Sequence, residues 1–154
     1  MKQALLPLMA IAALGCGDNA GTNPLTYNDI SGTYVGALAG TSQGILLQAT
    51  FTLAITQSGG GLGGSYSLTG TLSDGASSIG LAGGGSITGS IAAGNNPSVG
   101  ITAVSGICPN VTTAFSGAYD SSNHLVTLRG SIPVFDANCQ VVLTYPNSVL
   151  ILSR

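Results

Sequence analysis

The sequence predicts an all-β protein built as a single antiparallel up-and-down barrel of eight or nine strands. From Asp29 onward apolar residues alternate with small polar ones, as in Phe51-Thr52-Leu53-Ala54-Ile55-Thr56, and no window carries the apolar spacing of a helix. A five-residue unit, apolar-x-Gly-x-apolar, recurs five times, and short segments rich in Gly, Asn, Asp and Ser separate the alternating stretches. A meander of short strands joined by tight turns is the sequence signature of an up-and-down barrel.

The recurring unit places an apolar residue, a glycine and a second apolar residue on one face of a strand, because residues two apart share a face. Its five copies are centred on Gly32, Gly70, Gly89, Gly117 and Gly130. Their spacing is irregular, which excludes a solenoid or a propeller. Glycine inside a strand costs stability, so its recurrence indicates a geometric need, such as tight coiling of a sheet into a closed barrel.

Strands are predicted in the alternating stretches between the turns. They lie near residues 30–38, 45–57, 63–73, 77–82 with 85–93, 98–105, 111–120, 124–133, 138–145 and 148–153. A two-sheet β-sandwich remains the alternative. A membrane-spanning barrel is disfavoured, because the 5 Tyr and 3 Phe are too few for two aromatic girdles.

The N-terminus has the pattern of an export signal. A short cationic start precedes an apolar run from Ala4 to Leu14, which is too short to cross about 30 Å of hydrocarbon as a helix. Residues 1–15 are therefore predicted to be a signal peptide. Ala13-Leu14-Gly15-Cys16 resembles the lipobox of bacterial lipoproteins, which implies that Cys16 is lipidated and begins the mature chain. Ordinary cleavage of a signal peptide, with Cys16 incidental, is the alternative.

The same resemblance implies a location. Gly17 and Asp18 follow the cysteine in a pattern that favours the outer membrane, with a periplasmic or surface-facing barrel anchored by the lipid at Cys16. Residues 16–28 lack periodicity and are predicted to be the lipidated Cys and a flexible tether, with an r.m.s. reach of roughly 17–21 Å. Residues 29–154 form the predicted barrel domain.

Charge excludes nucleic acid as a partner. Only 5% of the chain is charged, and loss of the signal removes the single lysine, leaving Arg129 and Arg154 as the only strong cations. Two arginines cannot supply the phosphate contacts on which nucleic-acid binding depends. They also cannot form a patch for anionic lipids.

Cys108 and Cys139 are predicted to form a disulfide, since an exported protein meets an oxidising compartment. In the chain-entropy model this bridge stabilises the fold by roughly 3.5 kcal/mol. A redox pair or a metal-thiolate site would need a Cys-x-x-Cys spacing or additional ligands.

No catalytic residue, metal site or cofactor is predicted. His124 is the single histidine and lies between two predicted strands, where an ordinary hairpin turn is expected; the alternatives are a Ser/His/Asp site or a metal site with Asp120. The chain has no Glu and no Gly-x-Ser-x-Gly elbow. Gly59 to Gly64 lacks the Lys-Ser/Thr of a phosphate loop and is predicted to be a flexible hairpin loop, hypothetically a lid over a barrel mouth.

The opening of the barrel domain resembles the avidin and lipocalin group, the calycin-like eight-stranded barrels. The residues concerned are Ile30-Ser-Gly32-Thr-Tyr34 and, after a Gly-rich turn, Gly64-Ser-Tyr66. That group carries Gly-x-Trp on its first strand, and Tyr34 stands where the Trp would be. The chain contains no Trp, so the aromatic box that holds biotin in avidins does not carry over.

Two functions follow for a barrel without catalytic residues. The first is a non-catalytic envelope lipoprotein whose barrel is a structural or interaction module for an envelope protein partner. The alternative is a calycin-type barrel that binds a small apolar ligand. Its predicted lining consists of Tyr34, Phe51, Tyr66, Phe115 and Tyr119. A hollow interior would separate the two functions.

Overall fold

The structure, a computed structural model, describes residues 25–154. The predicted signal peptide, Cys16 and most of the predicted tether lie outside these residues. Eight strands follow one another along the chain. They are β1 (Gly32–Ser42), β2 (Ile45–Ser58), β3 (Gly61–Ser73), β4 (Ser78–Ile91), β5 (Ser98–Ser105), β6 (Thr112–Asp120), β7 (Leu125–Phe135) and β8 (Val141–Ser153).

Each strand pairs antiparallel with the next, and β8 pairs back with β1, so the sheet closes into an up-and-down barrel. The predicted fold class is confirmed, and the sandwich alternative is wrong because one continuous sheet returns on itself. No helix within residues 25–154 has the length and apolar character needed to cross a membrane.

The barrel has eight strands because two predicted interruptions, at residues 83–84 and 146–147, are absent. β4 continues through Gly83 and Gly84, whose backbone stays paired with Leu68 and Ser67 of β3. β8 likewise continues through Asn147, and the β7–β8 ladder absorbs the irregularity as a register shift between Gly130 and Ile132. Glycine runs therefore did not mark turns where a partner strand supplied the ladder bonds.

The recurring glycines lie where neighbouring strands approach closely. A Cβ atom at Gly89 would overlap the carbonyl oxygen of Gly100, and one at Gly117 would overlap that of Thr127. These positions therefore require glycine for a steric reason, as expected for a tightly coiled sheet.

The barrel interior holds the hydrophobic core. Along most of each strand the inward side chains are buried, whereas alternate residues face solvent, and apart from tyrosines no polar side chain is buried within the described residues. Among the most deeply buried side chains are Tyr34, Leu53, Leu128, Leu150 and Leu152.

The two ends of the barrel differ, and we call them the closed end and the open end. The closed end carries the turns at residues 59–60, 92–97 and 121–124 and the C-terminus, whereas the open end carries the turns at 43–44, 74–77, 106–111 and 136–140. Each turn joins two sequential strands, so the two sets alternate along the chain.

Residues 26–31 cross the closed end and seal it. Gln57 accepts a hydrogen bond from the backbone N–H of Ile30 at 2.9 Å and donates one to the carbonyl of Asn28 at 3.0 Å. The side-chain amide of Asn28 donates to the carbonyl of Gly94 at 2.7 Å. Ile30 is completely buried. The last residues of the predicted tether therefore pack on the barrel instead of hanging free.

The segment from Gly59 to Gly64 is not a flexible loop. Ser58 pairs with Gly61 across a two-residue turn, and residues 61–64 belong to β3. Ile91 donates a backbone hydrogen bond to the carbonyl of Gly60 at 2.9 Å. The lid hypothesis is wrong, because this turn lies at the closed end and is held by the adjoining strands.

Candidate functional site: the open-end cavity

A cavity of about 320 Å³ lies inside the barrel at the open end. Its walls come from the inward faces of strands β2 to β7 and from the two loops that follow β5 and β7. Ile107, Asp136 and Ala137 are exposed residues of its rim. This volume is at the lower end of the range for small-molecule sites.

The cavity exists because the inward residues of β4 and β5 are small at this end. Gly83, Ala103 and Ser105 line it, and a Cβ atom at Gly83 would find no heavy atom within 4 Å. Gly83 lies opposite Leu68 in the β3–β4 ladder, so both share the inward face. Space that larger side chains would fill is therefore left open.

Three of the five predicted lining residues line this cavity: Phe51, Tyr66 and Phe115. Phe51 and Tyr66 are cross-strand neighbours on β2 and β3, and their rings stack with centroids 5.5 Å apart and planes 4° from parallel. Burial raises the pKa of Tyr66 above its ordinary value, so its hydroxyl stays neutral through the physiological range.

The other two predicted lining residues, Tyr34 and Tyr119, lie at the closed end and are not part of the cavity. The Tyr34 hydroxyl donates to the carbonyl of Ile30 at 3.0 Å, and the Tyr119 hydroxyl lies 3.1 Å from Nδ1 of His124. Both side chains are buried and fill the interior there. Alternation identifies an inward face but not a position along the barrel axis, so it could not separate these two residues from the other three.

Sequence reasoning missed the contributions of β4, β7 and the two loops. Leu81, Ile132 and Val134 supply apolar surface, while Ile107 and Val111 come from the loop after β5. The period-two pattern placed Leu81, Ile132 and Val134 on one face of their strands, which was a usable signal. The loop residues had none, because their place over the cavity depends on the disulfide.

The disulfide between Cys108 and Cys139 is present, with the two Cα atoms 5.5 Å apart. It joins the loop at 106–111 to the turn at 136–140, and strands β6 and β7 lie between these two segments in the chain. Cys108 is buried, and its N–H donates to the Ser105 hydroxyl at 3.1 Å. The bridge thus holds one wall of the cavity in place.

Polar side chains at the cavity are few. Tyr66, Ser105, Thr113 and Asp136 contribute them. One carboxylate oxygen of Asp136 accepts backbone hydrogen bonds from Asn138 and Gln140, each at 2.9 Å, which shapes the turn. No Lys or Arg of the described chain lines this cavity. The site therefore suits an uncharged apolar molecule better than an anion.

His124 and Asp120 form the predicted hairpin turn. The Asp120 carboxylate accepts hydrogen bonds from the side chains of Ser122 at 2.6 Å and Asn123 at 2.7 Å. These bonds lower the pKa of Asp120 to about 2. Within residues 25–154 no three His, Cys, Asp or Glu side chains are grouped as metal ligands would be.

No protein-family model, curated protein or solved structure matches the chain. The likeness to calycin-like barrels therefore rests on the architecture: an eight-stranded antiparallel up-and-down barrel.

Proposed function

We propose that the protein is a non-catalytic binding barrel that holds a small, uncharged, apolar molecule in the open-end cavity. The observation that carries this proposal is the cavity itself, which lies within a barrel whose other end is filled by side chains. Eight-stranded barrels have room for one small ligand among their inward side chains.

The chemistry of the wall supports an apolar ligand. Phe51, Leu68, Leu81, Phe115 and Ile132 present apolar surface, so binding gains from removing that surface and the ligand's from water. An anion would enter past Asp136 without meeting a cation, and its desolvation would stay uncompensated. The flat face of the Phe51–Tyr66 stack also suits a planar or chain-like apolar group.

We further propose that the protein is an exported lipoprotein anchored to the outer membrane through Cys16. The resemblance of Ala13-Leu14-Gly15-Cys16 to a lipobox supports the anchor. Residues 26–31 lie against the closed end, so a chain anchored upstream would present the opposite, open end away from the lipid. Ligand would then exchange with the aqueous compartment or with a partner.

A structural or interaction module remains a second candidate, and one observation favours it. Five of the exposed large apolar side chains lie at or beside the open end: Leu46, Ile79, Ile107, Val141 and Val142. Exposed apolar surface concentrated in one region is typical of surfaces that meet a partner. This candidate and the ligand cavity are compatible, since both use the same end.

The test adds a side chain that occupies the cavity and leaves every existing side chain of the wall in place. Gly83→Leu places a side chain in the open space, whereas Gly80→Leu places the same side chain on the outward face of the same strand, where a Cβ also meets nothing within 4 Å. The probe is N-phenyl-1-naphthylamine, an uncharged apolar fluorophore. We expect saturable binding to the natural protein and to Gly80→Leu, and loss of binding in Gly83→Leu.

Equal probe binding by both variants would contradict the proposal, because the cavity would then not be the site. Native mass spectrometry of the unlipidated mature chain from a periplasmic fraction gives an independent measurement. A small molecule retained in the native spectrum and lost on denaturation would identify the ligand class, and Gly83→Leu should not retain it.

A further inference from the structure

One segment of the barrel wall has a strand on one side only. The β3–β4 ladder runs the full length of β4, from Gly61↔Ser90 to Ser73↔Ser78. The β4–β5 ladder begins only at Gly85↔Ser105, because β5 has 8 residues whereas β4 has 14. Residues 78–84 therefore have no strand on the β5 side, where only the Gly84 carbonyl is hydrogen-bonded, and we call this segment the β4 edge.

Hydrogen bonds at the ends of β4 establish which backbone groups point outward from this edge. Ile91 donates toward the β3 side, to the carbonyl of Gly60 at 2.9 Å. Ala92 donates toward the β5 side, to Ser98, at 2.9 Å, and Gly84 accepts there from Gly106 at 2.8 Å. Because the direction alternates along a strand, the N–H and C=O groups of Ser78, Gly80 and Ala82 point away from β3.

The β4 edge lacks the features that normally protect an edge strand. Residues 78–84 read Ser-Ile-Gly-Leu-Ala-Gly-Gly and contain no charge and no proline. Residues 78–80 are fully on the surface, and Ile79 is 62% exposed. Soluble proteins usually block such edges with charge, proline, a bulge or a covering loop, because an open edge pairs readily with another strand.

The surroundings of the edge limit what can add to it. Ile107 of the loop after β5 and Val134 of β7 line the same cavity as Gly83 and Gly84. The disulfide-held loop lies directly beside Gly84, because Gly106 donates to the Gly84 carbonyl, so an added strand can pair only with the residues before Gly84. One extended strand needs a single spacing of about 4.8 Å beside β4, whereas the edge of a second barrel would also have to place its own sheet against the loop.

Charge and register give the chemistry of the strand. A segment paired with Ser78 to Gly83 would turn alternate side chains toward the inward face, next to Leu81 and Gly83 and over the cavity. Asp74 and Asp136 lie in the turns at this end and are both acidic, while Arg129 lies on the outer face of β7. A neutral or basic segment with apolar alternate residues is therefore complementary.

We propose that the β4 edge binds an extended, neutral or basic peptide segment of a partner protein by β-strand addition, with an apolar side chain of that segment entering the open-end cavity. Main-chain hydrogen bonds to Ser78, Gly80 and Ala82 provide the pairing, and the cavity provides the preference for an apolar residue. This proposal does not depend on the binding of a small molecule.

The experiment removes one outward-facing N–H without disturbing β3. Gly80→Pro deletes the N–H that faces the gap, and Gly80→Ala is the matched control that keeps it; a Cβ at this position meets nothing within 4 Å. The probe is a fluorescent heptapeptide, Lys-Thr-Leu-Thr-Leu-Thr-Lys, blocked at both ends, with binding measured by anisotropy. We expect the natural protein and Gly80→Ala to bind alike and Gly80→Pro to bind about tenfold more weakly or worse.

A second peptide keeps the test independent of the protein variants. The same heptapeptide with N-methyl groups on alternate residues retains its side chains but cannot pair on one edge, and we expect it to lose binding. Matching far-ultraviolet circular dichroism spectra of Gly80→Pro and Gly80→Ala show that the proline variant is folded, whether or not N-phenyl-1-naphthylamine binds. The results of the two proposals can thus be told apart.

Three outcomes would overturn the strand-addition proposal: no binding of the heptapeptide, equal binding by Gly80→Pro and Gly80→Ala, or equal binding of the N-methylated peptide. A concentration-dependent dimer that forms without peptide and is abolished by Gly80→Pro would also overturn it, because the edge would then pair with a second copy of the chain.

Discussion

The closed and open ends of the barrel are built from the same eight strands, yet one is filled and the other is hollow. At the closed end Tyr34, Tyr119 and Leu152 occupy the interior. At the open end the corresponding inward positions of β4 and β5 carry Gly83 and Ala103. The difference shows that alternation determines which face is inward, whereas side-chain size along that face determines whether a barrel encloses a cavity.

The ends also differ in how they are held together. Side-chain amides of Gln57 and Asn28 fasten the N-terminal segment across the closed end. At the open end a disulfide joins two loops that line the cavity. A covalent link suits the end that lacks a packed interior, since few apolar contacts are available there to order the loops.

The largest expected effect is a loss of stability when an inward leucine at the closed end is truncated, measured against the same truncation at the open end. Leu152→Ala removes a completely buried side chain at the closed end and should lower the free energy of unfolding by about 2.7–5 kcal/mol. Leu81→Ala, the matched variant, removes a partly exposed side chain that already borders a cavity, and should cost less than about 1.5 kcal/mol. Urea unfolding followed by circular dichroism measures both values. Equal costs would mean that the two ends are packed alike.

The next effect concerns the disulfide. Replacing both Cys108 and Cys139 by Ser should lower the free energy of unfolding by about 3.5 kcal/mol, because the closed loop no longer restricts the unfolded chain. Native-state hydrogen exchange of the backbone amides should become faster in residues 106–111 and 136–140. The amides at the closed end should remain better protected than these. The natural protein under reducing conditions is the control and should behave like the variant. Uniform loss of protection at both ends would contradict the distinction between them.

The smallest effect depends on pH and belongs to the closed end. Burial, with the neighbouring Tyr119 as the next cause, raises the pKa of Tyr34 from 10.0 to about 12. The folded state therefore favours the neutral phenol, and this stabilisation is present below pH 10.0 and is lost as the pH rises toward 12. Tyr34→Phe should cost about 1 kcal/mol at neutral pH by removing the hydrogen bond to Ile30.

The same variant should then lose less of its stability than the natural protein between pH 10.0 and 12, because it has no buried phenol to ionise at this position. Urea unfolding at a series of alkaline pH values measures the two slopes. Parallel slopes would show that Tyr34 does not control the alkaline limit of the closed end.

The candidate site was only partly predictable, and the residues show why. Phe51, Tyr66 and Phe115 face the open-end cavity, whereas Tyr34 and Tyr119 have the same alternation but lie at the other end. Both Gly-rich stretches were predicted to lie outside strands that in fact contain part of them. Gly59 to Gly64 was expected to be a loop and Gly83 to Gly85 to interrupt a strand, yet Gly61–Gly64 and Gly83–Gly85 lie within ladders, since backbone pairing does not require side chains.

By itself the sequence determined the β class, the inward face of most strands and the pairing of Cys108 with Cys139, because each follows from local spacing or from residue count. Only the tertiary structure decided between the predicted barrel and the alternative sandwich, left one end hollow and made β4 extend beyond β5. These features depend on which residues meet across the barrel and on the relative lengths of neighbouring strands. Both are properties of the register between strands that are distant in the chain, which no local pattern specifies.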